Sequence, residues 1–124
     1  MNISGLYIYL DGSEFTDIAS AIESSIYLWL ESEGICATVV NEKHDKKLED
    51  FSTWDLGLII DREQLPELKR ITDFLYSLAV KYEHDFALGY YDEGSGDSAD
   101  ISYFGAECGR AKIDEINEAL SSRG

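Results

Sequence analysis

Apolar side chains first alternate with aromatic ones along Leu6-Tyr7-Ile8-Tyr9-Leu10, the two-residue period of a strand. Leu6, Ile8 and Leu10 share one face of that strand, and Tyr7 and Tyr9 share the other. Asp11-Gly12 ends it, and the period then lengthens. Ile18, Ala21, Ile22, Ser25, Ile26, Trp29 and Leu30 recur at helical spacing. They predict a helix from about Ser13 to Glu33, with Ser13 as N-cap, Glu14 and Asp17 near its positive end, and Gly34 ending it. Ile35 to Val40 is rich in β-branched residues and reads as a second strand. A polar segment, Asn41 to Asp50, follows and carries Lys43, Lys46 and Lys47. Asp55 to Ile60 reads as a buried strand, apolar on both faces. Asp61 is placed to cap a second helix, with Gln64 at capping-box spacing and Pro66 in the first turn. The stripe of that helix is Leu65, Leu68, Ile71, Thr72, Leu75, Leu78, Ala79 and Tyr82.

The last third changes character. Phe86 to Tyr91 and Ala99 to Phe104 flank the segment from Asp92 to Ser98, which predicts a hairpin with a long, flexible, acidic tip. A terminal helix is expected over Ala111 to Ser121, with Ile113, Ile116, Ala119 and Leu120 on one side. The resulting order is βαββαββα, an α/β (α+β) chain. Two crossovers separated by a hairpin favour a ferredoxin-like split βαβ sheet, extended at one edge by the last hairpin. That gives a five-stranded, mainly antiparallel sheet with the helices on one face. A three-layer arrangement, with the terminal helix on the opposite face, remains open. On the one-face arrangement Tyr7, Tyr9, Tyr91 and Phe104 point away from the helices.

The 124 residues fit one acidic domain spanning 1–124, and an apolar fraction of 44% is enough for a packed core. The longest all-apolar run, Ile26 to Leu30, is far too short to span a membrane, and the N-terminus lacks a secretion-signal pattern. A cytoplasmic chain that does not bind membranes is the expectation. Cys36 and Cys108 lack CxxC spacing and are expected as buried or half-buried thiols; a pairing between them is the alternative.

Charge narrows the function classes. Twenty-five acidic side chains face ten basic ones, for a net charge of -15. Such a field repels nucleic acid, whose binding needs cationic groups, and it speeds encounter with basic proteins. Solubility alone is the other use of such charge. No enzymatic signature stands out. His44 and His84 have no nucleophile motif around them, and no Cys or His lies near either at ligand spacing, so no catalytic, metal or cofactor site is expected. Gly94 to Ala99 matches the glycine pattern of a dinucleotide loop, but a strand follows it where that loop needs a helix. Asp92 to Asp100 offers several oxygen ligands beside glycines, but without the alternating Asp/Asn pattern of an EF-hand calcium loop and with no helix leading in.

Partner recognition is best placed at the hairpin. Between Asp92 and Glu107 lie the acids Asp92, Glu93, Asp97, Asp100 and Glu107, and no lysine or arginine occurs between Lys81 and Arg110. Tyr90, Tyr91, Tyr103 and Phe104 add apolar anchors beside that charge. The candidate contact set is Tyr90, Tyr91, Asp92, Glu93, Asp97, Asp100, Tyr103 and Glu107. A solvated loop that protects an edge hairpin from aggregation is the competing reading.

Gly89-Tyr90-Tyr91-Asp92-Glu93 followed by Asp100-Ile101-Ser102-Tyr103-Phe104-Gly105 resembles the end of small acidic immunity proteins of contact-dependent inhibition and related polymorphic-toxin systems. Size and charge agree, and the likeness covers mainly the last third. It implies a cytosolic, non-catalytic protein that binds one cognate basic toxin domain, often a nuclease, and neutralises it by occlusion. Two other readings stay open: a small regulatory or ligand-binding domain, dimeric through the open sheet face, and an acidic mimic of nucleic acid.

Overall fold

In the computed structural model, residues 3–12, 15–45, 52–64 and 68–123 are described. They form five strands and three α-helices in the order β1 (Gly5–Leu10), α1 (Ala19–Glu33), β2 (Thr38–Asp45), β3 (Ser52–Asp61), α2 (Leu68–Tyr82), β4 (Asp85–Asp92), β5 (Asp97–Gly105) and α3 (Ile113–Arg123). The strands lie side by side as β2-β3-β1-β4-β5, and every neighbouring pair is antiparallel. β1 to β4 with α1 and α2 make the expected split βαβ sheet, and β5 extends it beyond β4. Among the described residues no helix is long and apolar enough to cross a membrane.

Alternation along β1 sets the two faces. Leu6, Ile8 and Leu10 are buried, and their cross-strand partners are buried too: Ile60 and Leu58 on β3, and Tyr90, Leu88 and Phe86 on β4. Phe86 in turn faces Phe104 of β5, with ring centroids 5.8 Å apart. Ile22, Ile26 and Leu30 of α1 and Leu68, Ile71, Leu75, Leu78 and Ala79 of α2 cover this layer in one core. The helices meet through Trp29 and Phe74, stacked at 4.4 Å, and through an Arg70–Glu33 ion pair. Thr72 is buried as well, its hydroxyl donating to the Leu68 carbonyl at 2.9 Å. α3 joins the same side. Ile116 is fully buried in this core, and Leu120 borders a small cavity with Ile3 and Leu6. The three helices therefore share one face, and among the described residues the other face of the sheet carries no helix.

Several boundaries differ from the sequence expectation. α1 begins at Ala19 after a turn at Thr16–Ile18, and the expected N-cap Ser13 and its neighbour Glu14 lie outside the described residues. Ala19 replaces the exposed Ala21 in the buried stripe. β2 starts at Thr38 rather than Ile35 and runs on through the polar residues Asn41 to Asp45, paired with β3 from Leu56 down to Ser52. Backbone pairing at a sheet edge tolerates polar side chains, so composition did not mark this stretch. Lys46 and Lys47 lie outside the described residues. Asp61 does not cap α2. It ends β3 opposite Gly5, a 3-10 turn occupies Arg62–Gln64, and Leu65 and Pro66 lie outside the described residues. The hairpin tip is short, because the ladder holds to the pair Asp92–Asp97 and only Glu93 to Gly96 turn. Two bonds to Asp92 tighten that turn: Gly96 N–H donates to its carbonyl at 2.8 Å, and Gly94 N–H to its Oδ1 at 2.9 Å.

Ile8 sits at the centre of this layer, so Ile8→Ala should cost about 2–5 kcal/mol in urea unfolding with an unchanged denaturant slope. A loss below about 1 kcal/mol would contradict the register described here.

Candidate functional site

Side chains on the helix-free face fall into rows across the strands. One row runs Asp61, Gly5, Tyr91, Ser98; the next Thr38, Ile59, Tyr7, Gly89, Asp100; the next Val40, Gly57, Tyr9, Ala87, Tyr103. Glu42 and Asp55 face one another in a further row. Glycine or alanine lies beside each central tyrosine, and this spacing shapes the surface.

Tyr7 leans from β1 across β4, its ring occupying the space a side chain at Gly89 would fill. Its hydroxyl donates to Asp100 Oδ1 of β5 at 2.5 Å. Tyr103 donates to Oδ2 of the same carboxylate at 2.6 Å. Tyr91 leans the opposite way, from β4 across β1, where a Cβ on Gly5 would lie 2.5 Å from its Oη. It donates to Asp61 Oδ1 of β3 at 2.9 Å. Each ring thus straps over one strand and ends on a carboxylate of the next. Tyr9 packs beside Tyr7, with centroids 5.1 Å apart.

These environments hold the phenols in their neutral, donating form. Burial first, then the bond to Asp100, raises Tyr7 well above the ordinary 10.0. Burial and the bond to Asp61 push Tyr91 up to about 12. For Tyr103 the bond to Asp100 comes first, and it too rises to about 12. Tyr9 is raised by burial and then by Asp55 and Glu42. The chemistry on offer is donor hydroxyls, ring faces and carboxylates.

A tight β-bulge between Leu88 and Gly89 makes the Asp100 site possible. Leu88 faces Ser102 while Gly89 faces Asp100, so Ile101 is an extra residue. In unbroken alternation Asp100 and Tyr103 would lie on opposite faces; the bulge brings both onto the open one. Because Tyr7 leans toward β5, the sheet over Ile59 is left uncovered. A shallow groove of about 720 Å³ lies there, bordered by Tyr9, Ile59, Tyr91, Asp55, Asp61 and Glu93.

Of the residues expected to bind a partner, Tyr91, Asp100 and Tyr103 share the open face, and Glu93 borders its groove. Tyr90 does not belong there. It pairs with Leu6 on the helix-covered side and is 4% exposed. Asp92 and Asp97 follow Tyr90's parity and project to that side at the hairpin end. Glu107 lies in the turn after β5, its N–H held by Asp85 Oδ1 at 3.1 Å. Phe104, expected on the open face, is fully buried against Phe86. Sequence reasoning placed Tyr7 and Tyr9 on this face but left them out of the contact set, and it missed Asp55, Asp61 and Ile59 in that role. The spacing of glycines opposite tyrosines was the available signal. Cys36 and Cys108 are both free and exposed, not buried. Among the described residues no group of three or more His, Cys, Asp or Glu side chains is arranged to hold a metal ion.

Gly89→Ala would push Tyr7 off its strap, and we expect a loss of about 1–3 kcal/mol on chemical unfolding. Unchanged stability would mean the ring does not occupy that slot. Spectrophotometric titration should show Tyr91 and Tyr103 ionising near 12, and Asp100→Asn should lower the Tyr103 transition but not that of Tyr91. Because these folded-state values exceed the unfolded 10, the strap contribution is intact below pH 10 and fades as pH rises toward 12. Ordinary titration near 10 in the folded protein would remove the straps from the account.

Comparisons with protein-family models, curated proteins and solved structures gave no match for this chain.

Proposed function

We propose that this chain is a non-catalytic inhibitor that covers a basic protein surface with its open sheet face, in the manner of an immunity protein neutralising a cognate toxin domain. One observation carries the reading: the segregation of charge. The open face presents Glu42, Asp55, Asp61, Asp85 and Asp100, with Glu93 at its rim, and none of its described strand positions is lysine or arginine. Four of the described cations lie on the helix side: Lys43 lies over Trp54, Arg70 meets Glu33, Lys81 lies over Tyr82, and Arg110 lies over Tyr76. A charge serving solubility alone has no need of that division.

Tyrosine supplies contact area and a hydroxyl at small entropic cost, which suits an interface core rimmed by carboxylates. Straps that fix the rings beforehand lower the ordering cost of binding. Nucleic acid is repelled by the same field. Pairing of two copies through this face would bring two strongly negative surfaces together, which opposes the dimeric alternative. A nuclease domain, whose substrate groove is cationic, is the partner class that best complements the face.

A tagged chain used in a pull-down at low and moderate salt should retain one dominant basic protein and abolish that protein's own activity at stoichiometric ratio. Replacing Glu42, Asp55 and Glu93 by their amides should slow association roughly tenfold and flatten its salt dependence, whereas Asp92→Asn with Asp97→Asn should change it less than about twofold. A salt-labile mixture of proteins, or equal effects from the two variants, would count against the proposal.

A further inference from the structure

One place in the fold reverses the charge pattern of the rest of the surface. The cavity between β1 and α3 has a volume of about 190 Å³. Ile3, Gly5 and Leu6, all buried, border it on the sheet side. Asn117, Leu120 and Ser121 border it from α3, where their i, i+3, i+4 spacing puts them on one side of the helix. Arg62 completes the lining from the 3-10 turn, whose backbone N–H at Arg62 donates to the Ser4 carbonyl at 2.9 Å beside the start of β1. Among the described residues no carboxylate lines this cavity, in a chain with 25 acidic side chains. Three other depressions each carry at least one: Glu23 beside α1, Asp17 beside His84, and Asp55, Asp61 and Glu93 on the open face. Lys69, Arg70 and Arg110 each meet a carboxylate, whereas among the described residues Arg62 meets none.

We infer that this cavity binds a small carboxylic acid whose apolar body is the size of one aromatic ring. Ile3, Leu6 and Leu120 offer that body an uncharged surface. Ile3 and Leu6 are buried while Arg62, Asn117 and Ser121 are exposed, so the polar groups stand at the mouth. An apolar protein cavity of ~150 Å³ takes up benzene, so about 190 Å³ takes a ring with part of a substituent. At the mouth the Arg62 guanidinium is the charge for a carboxylate, with the Asn117 amide and the Ser121 hydroxyl as neutral donors beside it. Against a net charge of -15 an anion needs such a local cation, and an arginine without a carboxylate partner has none to displace. The lining contains none of the tyrosines or carboxylates of the proposed interface, so this site is independent of that function.

Benzoate titrated into the full chain and followed by amide chemical shifts should move Leu6, Arg62 and Leu120. It should bind about tenfold more tightly than acetate, which lacks the ring, or benzamide, which lacks the charge. Arg62→Gln, a change at an exposed position, should weaken benzoate about tenfold and leave benzamide within about twofold. Leu120→Trp should fill the cavity and abolish binding of both. N-acetylphenylalanine, whose amide adds bulk at the mouth, should bind more weakly than benzoate. Tighter binding of that compound would assign the site to the carboxyl terminus of a peptide and overturn the free acid. Equal affinity for benzoate and benzamide, or unaltered benzoate binding by Arg62→Gln, would overturn the carboxylate assignment. Absence of shifts at the three positions with ~10 mM benzoate would make the cavity a packing gap and overturn the site altogether.

Discussion

β1 is hydrogen-bonded on both sides, so its alternation is imposed on β3 and β4 alike. A slip of one residue would expose Leu6, Ile8 and Leu10 and bury Tyr7 and Tyr9 among aliphatic side chains. At about 1.5–3 kcal/mol for each buried aliphatic side chain, the three leucine and isoleucine positions alone amount to roughly 5–9 kcal/mol. That is comparable to the entire stability of a domain this size. The helix-covered core therefore fixes which side chains the open face displays, and the surface chemistry is a consequence of core packing.

Given that register, the open face is organised by glycines. A side chain at Gly5 or Gly89 would occupy the space through which Tyr91 or Tyr7 reaches its carboxylate. The straps run in opposite directions, one toward β3 and one toward β5, and they tie the two halves of the sheet together on the side that lacks helices. Rings that would otherwise sample several rotamers are held by hydrogen bonds. Their leaning apart also opens the groove over Ile59, so the same contacts that order the tyrosines shape the open face.

The order of elements, the ladder of buried leucines and the outward placement of Tyr7, Tyr9 and Tyr91 were legible in the sequence because each rests on a simple period. The parity of Phe86, Leu88 and Tyr90 was also legible and would have assigned Tyr90 to the core; its chemical likeness to Tyr91 obscured this. Other features left no such mark. The bulge at Ile101 reverses the parity of β5 without a glycine or proline to announce it, which is why Phe104 is buried and Asp100 joins Tyr103. Asp61 fits a helix cap by local pattern, yet its place is decided by pairing with Gly5, fifty-six positions earlier in the chain. β2 outruns its apolar residues because edge pairing is a backbone matter. In each case a long-range contact overrode a local preference.

On the proposed function, the open face, not the hairpin end or the outer surface of α1, meets the partner. Residue-resolved tyrosine nitration with and without the partner tests it most directly, since Tyr103 is 45% exposed on the open face and Tyr27 is 60% exposed on α1. Complex formation should protect Tyr103 while Tyr27 reacts as in the free chain. Protection of Tyr27 with Tyr103 still fully reactive would contradict it.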